Sequence, residues 1–304
     1  MNQTIESNPE TRPVARQLAD SLLEQVALAM GLTYTKLVHN LLKPFFDRAA
    51  RYMADTCMEL DRIAHEDSPI SAAHWLLRHF VAGDDANGMD HIPQEGPLII
   101  AATHPASYDS IAILSHLNRT DFKIVIGDVP PFHYIPTVVD HAIFAPRNDI
   151  NGRMLVLREA VRHLKNNGSL LIFPRGGIEP DPAFMPDPDA GFNLWSRSLE
   201  FFMRRVPQAQ VLVTIVSGVI SPKAMKHPIT RLRRALPDRQ RLAFMYQFVR
   251  QMLAGNELFG LKSQVSFGEI VRNHGQNDLL DQIELAAHRT LDRHIATIKP
   301  SLAN

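Results

Sequence analysis

From residue 97 onward, short and uninterrupted apolar runs alternate with segments of helical periodicity, and this alternation limits the fold more than any other feature. The predicted strands lie at residues 97–102, 122–126, 142–145, 169–173, 211–216 and 265–267. The predicted helices lie at residues 109–117, 154–165, 194–204 and 278–298. Strands that are apolar throughout are typical of a sheet covered on both faces. We therefore expect an α/β fold with a mixed, mostly parallel sheet flanked by helices.

The first part of the chain has a different pattern. Apolar residues recur every fourth position from Val14 to Val26 and again from Leu37 to Met53, which predicts two amphipathic helices. Pro44 is expected to kink or divide the second helix, and a third helix is expected at 71–81. Residues 83–88 are rich in Gly, Asp and Asn and predict a turn. We expect a small helical domain over residues 1–85 and an α/β domain over residues 86–304.

Several protein classes are disfavoured by what the sequence lacks. Cys57 is the only cysteine, which excludes an internal disulfide, a cysteine-rich zinc site and an iron–sulfur cluster. No run approaches the ~20 apolar residues of a membrane span, and we expect no signal peptide and a cytoplasmic location. The sequence has no Gly-x-Ser-x-Gly elbow, P-loop, dinucleotide fingerprint or His-Glu-x-x-His pair. We therefore expect no metal site and no bound nucleotide cofactor.

Charge is distributed unevenly along the chain. Residues 1–139 hold 10 basic and 17 acidic side chains, whereas residues 140–241 hold 16 basic and nine acidic ones. Five of the arginines lie within residues 231–241. This arginine run fits an acyl carrier protein, coenzyme A phosphates or an anionic membrane surface; a solvated helix end is the plainer alternative. No nucleic-acid motif accompanies it, so no nucleic-acid partner is expected.

His104 and Asp109 stand five positions apart between the first predicted α/β strand and the helix after it. On one helix their side chains would point about 140° apart, so they meet only if the connection is not helical. Pro105 favours an extended His104, and Ser107 or Asp109 can cap the next helix. A bend would let Asp109 orient the imidazole as a base for a hydroxyl. The alternative is an ordinary first-turn acid beside one of 14 histidines.

Two further predicted strands lead into arginines. One precedes Arg147, and the other precedes Arg175, Gly176 and Gly177. Paired glycines let backbone amides approach a ligand closely, and a neighbouring guanidinium suits a phosphate or a developing oxyanion. Taken alone, the second segment is equally typical of a turn with a surface arginine.

In order and spacing, these segments resemble the motifs of the glycerolipid acyltransferases, the glycerol-3-phosphate and lysophosphatidic-acid acyltransferases. The matching boxes are His-x-x-x-x-Asp at 104–109, Ile-Phe-x-x-Arg at 143–147 and Phe-Pro-x-Gly at 173–176. The apolar segment 213–218 stands where that family has its last box. The resemblance covers roughly residues 90–225. With its preceding helical region, the chain looks most like the soluble plastid-type glycerol-3-phosphate acyltransferase.

The resemblance implies transfer of a fatty acyl group to a hydroxyl of glycerol 3-phosphate or a lysophospholipid. The donor would be a thioester of coenzyme A or acyl carrier protein, used as co-substrate with no cofactor. His104 would be the general base and Asp109 its orienting partner. The partners would be the donor, a small anionic acceptor and, at the periphery, a membrane. The implied substrate-binding residues are Arg147, Arg175, Gly176 and Gly177.

One departure from the family pattern concerns the acceptor. Members commonly carry an arginine at the position that Ile178 occupies, and Arg175 stands where Glu or Ser is frequent. A phosphate ligand is therefore missing or has moved, with Arg175 as the candidate. Two alternatives remain open: the same chemistry on an unphosphorylated acceptor, and a non-catalytic lipid or acyl-carrier binding protein.

Overall fold

The computed structural model describes residues 12–146, 149–275 and 278–302. Its helices are α1 (Arg12–Ala29), α2 (Lys36–Glu66), α3 (Pro69–Leu77), α4 (Asp109–Ser115), α5 (Pro136–His141), α6 (Ile150–Lys165), α7 (Ser198–Arg205), α8 (Pro222–Met225), α9 (Leu236–Ala254) and α10 (Leu279–Leu302). Its strands are β1 (Gly83–Asn87), β2 (Leu98–Ala102), β3 (Phe122–Gly127), β4 (Ala142–Ala145), β5 (Ser169–Ile172), β6 (Gln210–Ser217) and β7 (Lys262–Arg272).

The seven strands of the described chain form one sheet in the order β1-β7-β6-β2-β5-β3-β4. Neighbouring strands are parallel except β6 and β7, which are antiparallel, so β1 and β7 run against the other five. At the centre, Leu98 of β2 is in register with Ser169 of β5 on one side and with Gln210 of β6 on the other. The expected mixed, mostly parallel sheet flanked by helices is confirmed.

The central strands are apolar throughout because both of their faces are covered. In β2, Leu98 and Ile100 belong to the hydrophobic cluster beneath α2, α3, α4 and α9. Ile99 and Ala101 belong to the cluster on the opposite face, beneath α6, α7 and α10. Full burial of one such aliphatic side chain contributes about 1.5–3 kcal/mol. Because side chains alternate between the two faces of a strand, one short segment contributes to the hydrophobic clusters on both sides of the sheet.

Several boundaries differ from the sequence predictions. Helix α2 continues through Pro44 and is not divided, because Pro44 and Asn40 are exposed and water can bind the Asn40 carbonyl group, which the ring leaves without a donor. Helix α3 ends at Leu77, earlier than the predicted residue 81. The predicted turn at 83–88 is largely strand β1, whose residues 83–87 pair with β7 at the sheet edge. Helix α9 was not predicted.

The N-terminal helices share a core with the sheet. Leu76 and Leu77 of α3 and Ala49 of α2 lie in the same cluster as Ile100 of β2. Helices α1 and α2 also bury a smaller cluster around Leu18. The division into domains at residue 85 stays a prediction.

Candidate active site

Three loops leave the sheet at one edge, after the carboxyl ends of β2, β5 and β6. These strands are neighbours and parallel, so the loops that follow them lie side by side. Thr103, directly after β2, aligns two of them: its backbone N–H donates to the Thr214 carbonyl at 3.1 Å, and its hydroxyl accepts from the Val216 N–H at 3.0 Å. Two of the polar segments singled out in the sequence, residues 104–109 and 175–177, therefore converge on this edge.

His104 and Asp109 meet across the bend between β2 and α4. The His104 Nδ1 atom lies 2.6 Å from Asp109 Oδ2. The Ala106 N–H donates to the two oxygens of the same carboxylate at 2.9 and 3.2 Å, and Asp109 is fully buried. The N-cap of α4 is Tyr108, without a side-chain cap hydrogen bond, so the expected cap by Ser107 or Asp109 is wrong. The carboxylate instead closes the turn that carries His104.

His104 presents one side of its ring to solvent. Its side chain is 28% exposed and stacks on Phe173 with ring centroids 4.4 Å apart. Burial lowers the pKa of His104, but the charge and hydrogen bond of Asp109, aided by the charge of Glu179, outweigh burial and raise the pKa overall. Burial also raises the pKa of Asp109, against its hydrogen bonds to His104 and Ala106. Within the described chain Nε2 has no hydrogen-bond partner, which leaves this nitrogen available to a bound hydroxyl.

The loop after β5 holds the predicted arginine and glycines. Gly176 has φ +68°, a left-handed conformation that favours glycine, and its N–H donates to the Phe173 carbonyl at 3.0 Å. A Cβ atom at Gly176 would contact nothing within 4 Å, so this turn faces open space. Arg175 donates through Nη1 to the Ile178 carbonyl of its own loop, and its buried Nε has no partner among the described residues. Its role as an anion contact stays a prediction.

Glu179 belongs to the site, although the sequence analysis did not single it out. This fully buried residue is joined to His104 twice: its Oε2 accepts from the His104 N–H at 3.0 Å, and its own N–H donates to the His104 carbonyl at 2.9 Å. Its Oε1 accepts from the Trp195 indole N–H at 3.0 Å. Nothing in the spacing of a Glu-Pro pair after two glycines indicates that the carboxylate turns inward.

Helix α9 was also missed, and it supports all three loops with buried glutamines. Gln240 donates to the carbonyls of Pro105, at 2.7 Å, and Glu179, at 2.8 Å. Gln247 accepts from Ser221 N–H in the loop after β6, at 2.7 Å. Gln251, four residues further on, accepts from the Tyr108 hydroxyl at 2.8 Å. Spacings of seven and four place the glutamines on one helix face, a pattern that the sequence does contain.

Asp181 fastens the loop after β6 to the loop after β5. Its carboxylate accepts from the backbone N–H groups of Gly218, Val219 and Ile220 at 3.0–3.3 Å. Burial raises its pKa to about 6, although these hydrogen bonds oppose the shift. The residue is a structural tie between two of the loops that border the site.

A comparison with protein families covers this region. Residues 85–210 match the model of the family described as Acyltransferase. This segment of the chain is therefore similar to the acyltransferase family. The resemblance that the motifs indicated is thereby confirmed; the plastid type stays a prediction.

One solved structure similar to the chain is the 1-acyl-sn-glycerophosphate (LPA) acyltransferase PlsC from Thermotoga maritima. It has 16% sequence identity and a TM-score of 0.43, over 92% of this chain and 96% of that chain. No curated protein sequence matches the chain.

The acyltransferase domain match includes every residue of the predicted site, from His104 to Gly177, together with Glu179. Helix α9 and its glutamines lie beyond the matched residues. Arg147 lies outside the described residues, and its role stays a prediction.

The arginine run lies between the candidate site and the turn that joins α1 and α2. Arg241 is adjacent in sequence to Gln240, which binds the carbonyls of Pro105 and Glu179, and the charge of Arg241 acts to lower the pKa of His104. Arg233 lies against the α1–α2 turn, where a Cβ atom on Gly31 would come within 2.7 Å of its guanidinium. Arg241 is exposed and paired with Asp238 at 3.5 Å.

Across the described ranges, no group of three His, Cys, Asp or Glu side chains is arranged to hold a metal ion. No helix in the described part of the chain is long and apolar enough to cross a membrane.

Proposed function

We propose that the chain transfers a fatty acyl group from a thioester of coenzyme A or acyl carrier protein to a hydroxyl of glycerol 3-phosphate or a lysophospholipid. The observation that carries this proposal is the contact of His104 with Asp109 at the open edge of the sheet, within the acyltransferase match. A protein that only bound lipids or acyl carriers would have no need for a partly exposed imidazole oriented by a buried carboxylate.

The proposed reaction uses His104 as the general base. Asp109 holds the proton on Nδ1, so Nε2 accepts the proton of the acceptor hydroxyl as its oxygen attacks the thioester carbonyl carbon. The resulting tetrahedral intermediate collapses with cleavage of the C–S bond, and the leaving thiolate takes the proton from Nε2. The products are an ester and a free thiol. A base of this kind contributes about 10²–10⁴ in rate. No cofactor takes part in these steps.

Recognition of the acceptor is assigned to the basic side of the site. Arg147 and Arg175 are the proposed phosphate contacts, and Gly176 and Gly177 form the pocket wall. The second candidate is an unphosphorylated acceptor. Two observations favour it: Ile178 occupies the position of a common family arginine, and Arg175 already donates to the Ile178 carbonyl.

The donor and the membrane are proposed to contact the face formed by α2 and the arginine run. Leu37, Leu41 and Phe45 follow one another at four-residue spacing along α2 and are 79%, 62% and 70% exposed. Arginines 231–241 continue this surface through the contact of Arg233 with the α1–α2 turn. Exposed apolar side chains beside arginines suit an anionic lipid surface. We therefore propose a cytoplasmic protein that binds membranes peripherally.

The direct test is thiol release from acyl-CoA or acyl carrier protein with a panel of acceptors. The proposal expects turnover with glycerol 3-phosphate or a lysophospholipid, and a higher acceptor KM in Arg147→Ala. Equal KM changes for phosphorylated and unphosphorylated acceptors would contradict the phosphate role of Arg147. Turnover only with unphosphorylated alcohols would favour the second candidate, and no turnover with any acceptor would leave the binding protein as the better account.

Vesicle sedimentation tests the membrane contact separately. The double variant Leu41→Asp/Phe45→Asp should bind vesicles containing anionic lipid at least about tenfold more weakly than the wild type, because each change replaces an apolar contact by a repelled charge. Leu285→Asp, at an exposed position on α10, is the matched control and should bind as the wild type does. Equal binding by all three proteins would contradict this surface.

A further inference from the structure

Glu179 holds the peptide of the base residue from two directions. Its side chain accepts from the His104 N–H and its backbone N–H donates to the His104 carbonyl. His104 is thereby fixed against the loop that follows β5, in which Glu179 is the seventh residue. Because the ring of His104 is attached to this peptide, a shift of Glu179 would move Nε2 relative to the bound hydroxyl.

The carboxylate of Glu179 is itself held in place from the opposite side. Trp195 donates its indole N–H to Oε1, and Gln240 donates to the Glu179 carbonyl. The backbone of Gly191 packs closely against this carboxylate. A Cβ atom on Gly191 would lie 2.7 Å from Glu179 Oε1 and 2.8 Å from Arg175 Cδ, so the carboxylate has no space to move in that direction. A buried acid that is anchored at both oxygens and at its backbone is preorganised, with no freedom to relax when the base changes charge.

The charges around His104 come from several elements. Asp109 of α4 and Glu179 of the β5 loop are negative, whereas Arg241 of α9 is positive. Burial raises the pKa of Glu179 overall, against the hydrogen bonds from Trp195 and His104 and the charge of Arg175. The two carboxylates outweigh the one exposed arginine, so the local charge stabilises the imidazolium that forms when the base takes a proton.

We propose that Glu179 is a positioning residue for His104, which fixes the peptide of the base and supplies a second negative charge near its imidazole. This inference rests on the proposed function, since it gives His104 the role of the base. It adds to the His–Asp pair a third residue, 75 positions away in sequence from His104.

Two substitutions separate the effect of the Glu179 charge from the effect of its side-chain length. Glu179→Gln keeps the length and removes the charge, whereas Glu179→Asp keeps the charge and is too short to accept from the His104 N–H. Both should lower kcat about 10- to 100-fold with little change in acceptor KM. In Glu179→Asp the base is displaced by about an ångström and loses its alignment. In Glu179→Gln the imidazole loses a neighbouring negative charge, and the new amide N–H₂ must face the N–H of either His104 or Trp195. In Glu179→Gln the ascending limb of the pH profile of kcat/KM should move to lower pH, whereas in Glu179→Asp it should stay near the wild-type position.

Titration of His104 by NMR gives a readout that does not depend on turnover. The signal is assigned by its loss in His104→Ala, and its midpoint should fall in Glu179→Gln. Glu200→Gln, which removes a carboxylate from an exposed ion pair on α7, is the matched control and should leave kcat and the midpoint unchanged.

Wild-type kcat in folded Glu179→Asp, or an unmoved His104 midpoint in folded Glu179→Gln, would overturn the assignment. If Glu179→Gln does not fold, the kcat of Glu179→Asp alone decides whether Glu179 positions His104. If the wild type transfers no acyl group, the proposed function fails, and the NMR comparison still decides whether Glu179 acts on His104.

Discussion

The Nδ1 atom of His104 lies 2.6 Å from Oδ2 of Asp109, and the Ala106 N–H binds the same carboxylate. The carboxylate therefore closes the turn after β2 and also fixes the tautomer of the imidazole. Because Asp109 is fully buried, its interaction with His104 is not screened by water. The chemistry proposed for this site depends on that arrangement.

Replacement of Asp109 by Asn should abolish most of the activity while leaving the turn in place. The amide oxygen can still accept from Ala106, but the amide N–H₂ faces Nδ1 and forces the proton onto Nε2, which can then no longer act as a base. We expect kcat to fall about 10²–10⁴-fold, measured by thiol release. Circular dichroism should show an unchanged fold, and a variant with wild-type kcat would contradict the orienting role of Asp109.

Gln240→Met should affect both stability and turnover. The change leaves the carbonyls of Pro105 and Glu179 without their shared donor, which costs about 1–3 kcal/mol in the free energy of unfolding. It also loosens the loop of His104, so we expect kcat to fall about tenfold or more. Gln247→Met on the same helix should cost similar stability in urea denaturation with a smaller change in kcat. Equal effects of the two variants on kcat would mean that Gln240 acts only through stability.

His294 should make the fold sensitive to acid. Its ring lies between the hydroxyls of Ser266 and Ser217, at 2.8 and 2.7 Å, and burial lowers its pKa to about 4. An unfolded histidine has a pKa of about 6.5, so protonation favours unfolding as the pH falls from about 6.5 to about 4. Between pH 7 and pH 5 this amounts to about 2 kcal/mol.

Asp181 acts in the opposite sense, because its raised pKa makes the folded state bind the proton first as the pH falls below about 6. The two contributions offset each other in the wild type, so the comparison needs a variant. His294→Gln should lose about 2 kcal/mol less unfolding free energy than the wild type between pH 7 and pH 5, measured by urea denaturation. Identical pH dependence in both proteins would show that His294 is not the acid-sensitive group.

The sequence was sufficient wherever burial or a local constraint leaves a direct pattern. β2 and β6 were predicted because strands covered on both faces are apolar at every position. The meeting of His104 with Asp109 was one of two alternatives left open by the sequence, because Pro105 disfavours a helical connection between them. In each case the deciding residues are neighbours along the chain.

The features that were missed depend on distant contacts. β1 contains Gly83, Asp84 and Asp85, which are typical of a turn, and becomes a strand only because β7 pairs with it. Glu179 turns inward because His104 and Trp195 supply donors from other parts of the chain. α9 begins at an arginine-rich segment with Pro237. Its buried face carries glutamines among its apolar residues, because the glutamines satisfy backbone groups of the loops, and they interrupt the apolar stripe that an ordinary packed helix shows.

Acyl transfer by His104→Ala tests the central claim most directly. With saturating acyl-CoA and the acceptor that the wild type uses, we predict a kcat at least about 10²-fold below the wild type, with an unchanged circular dichroism spectrum. Thiol release by His104→Ala at the wild-type rate would contradict the assignment of His104 as the base.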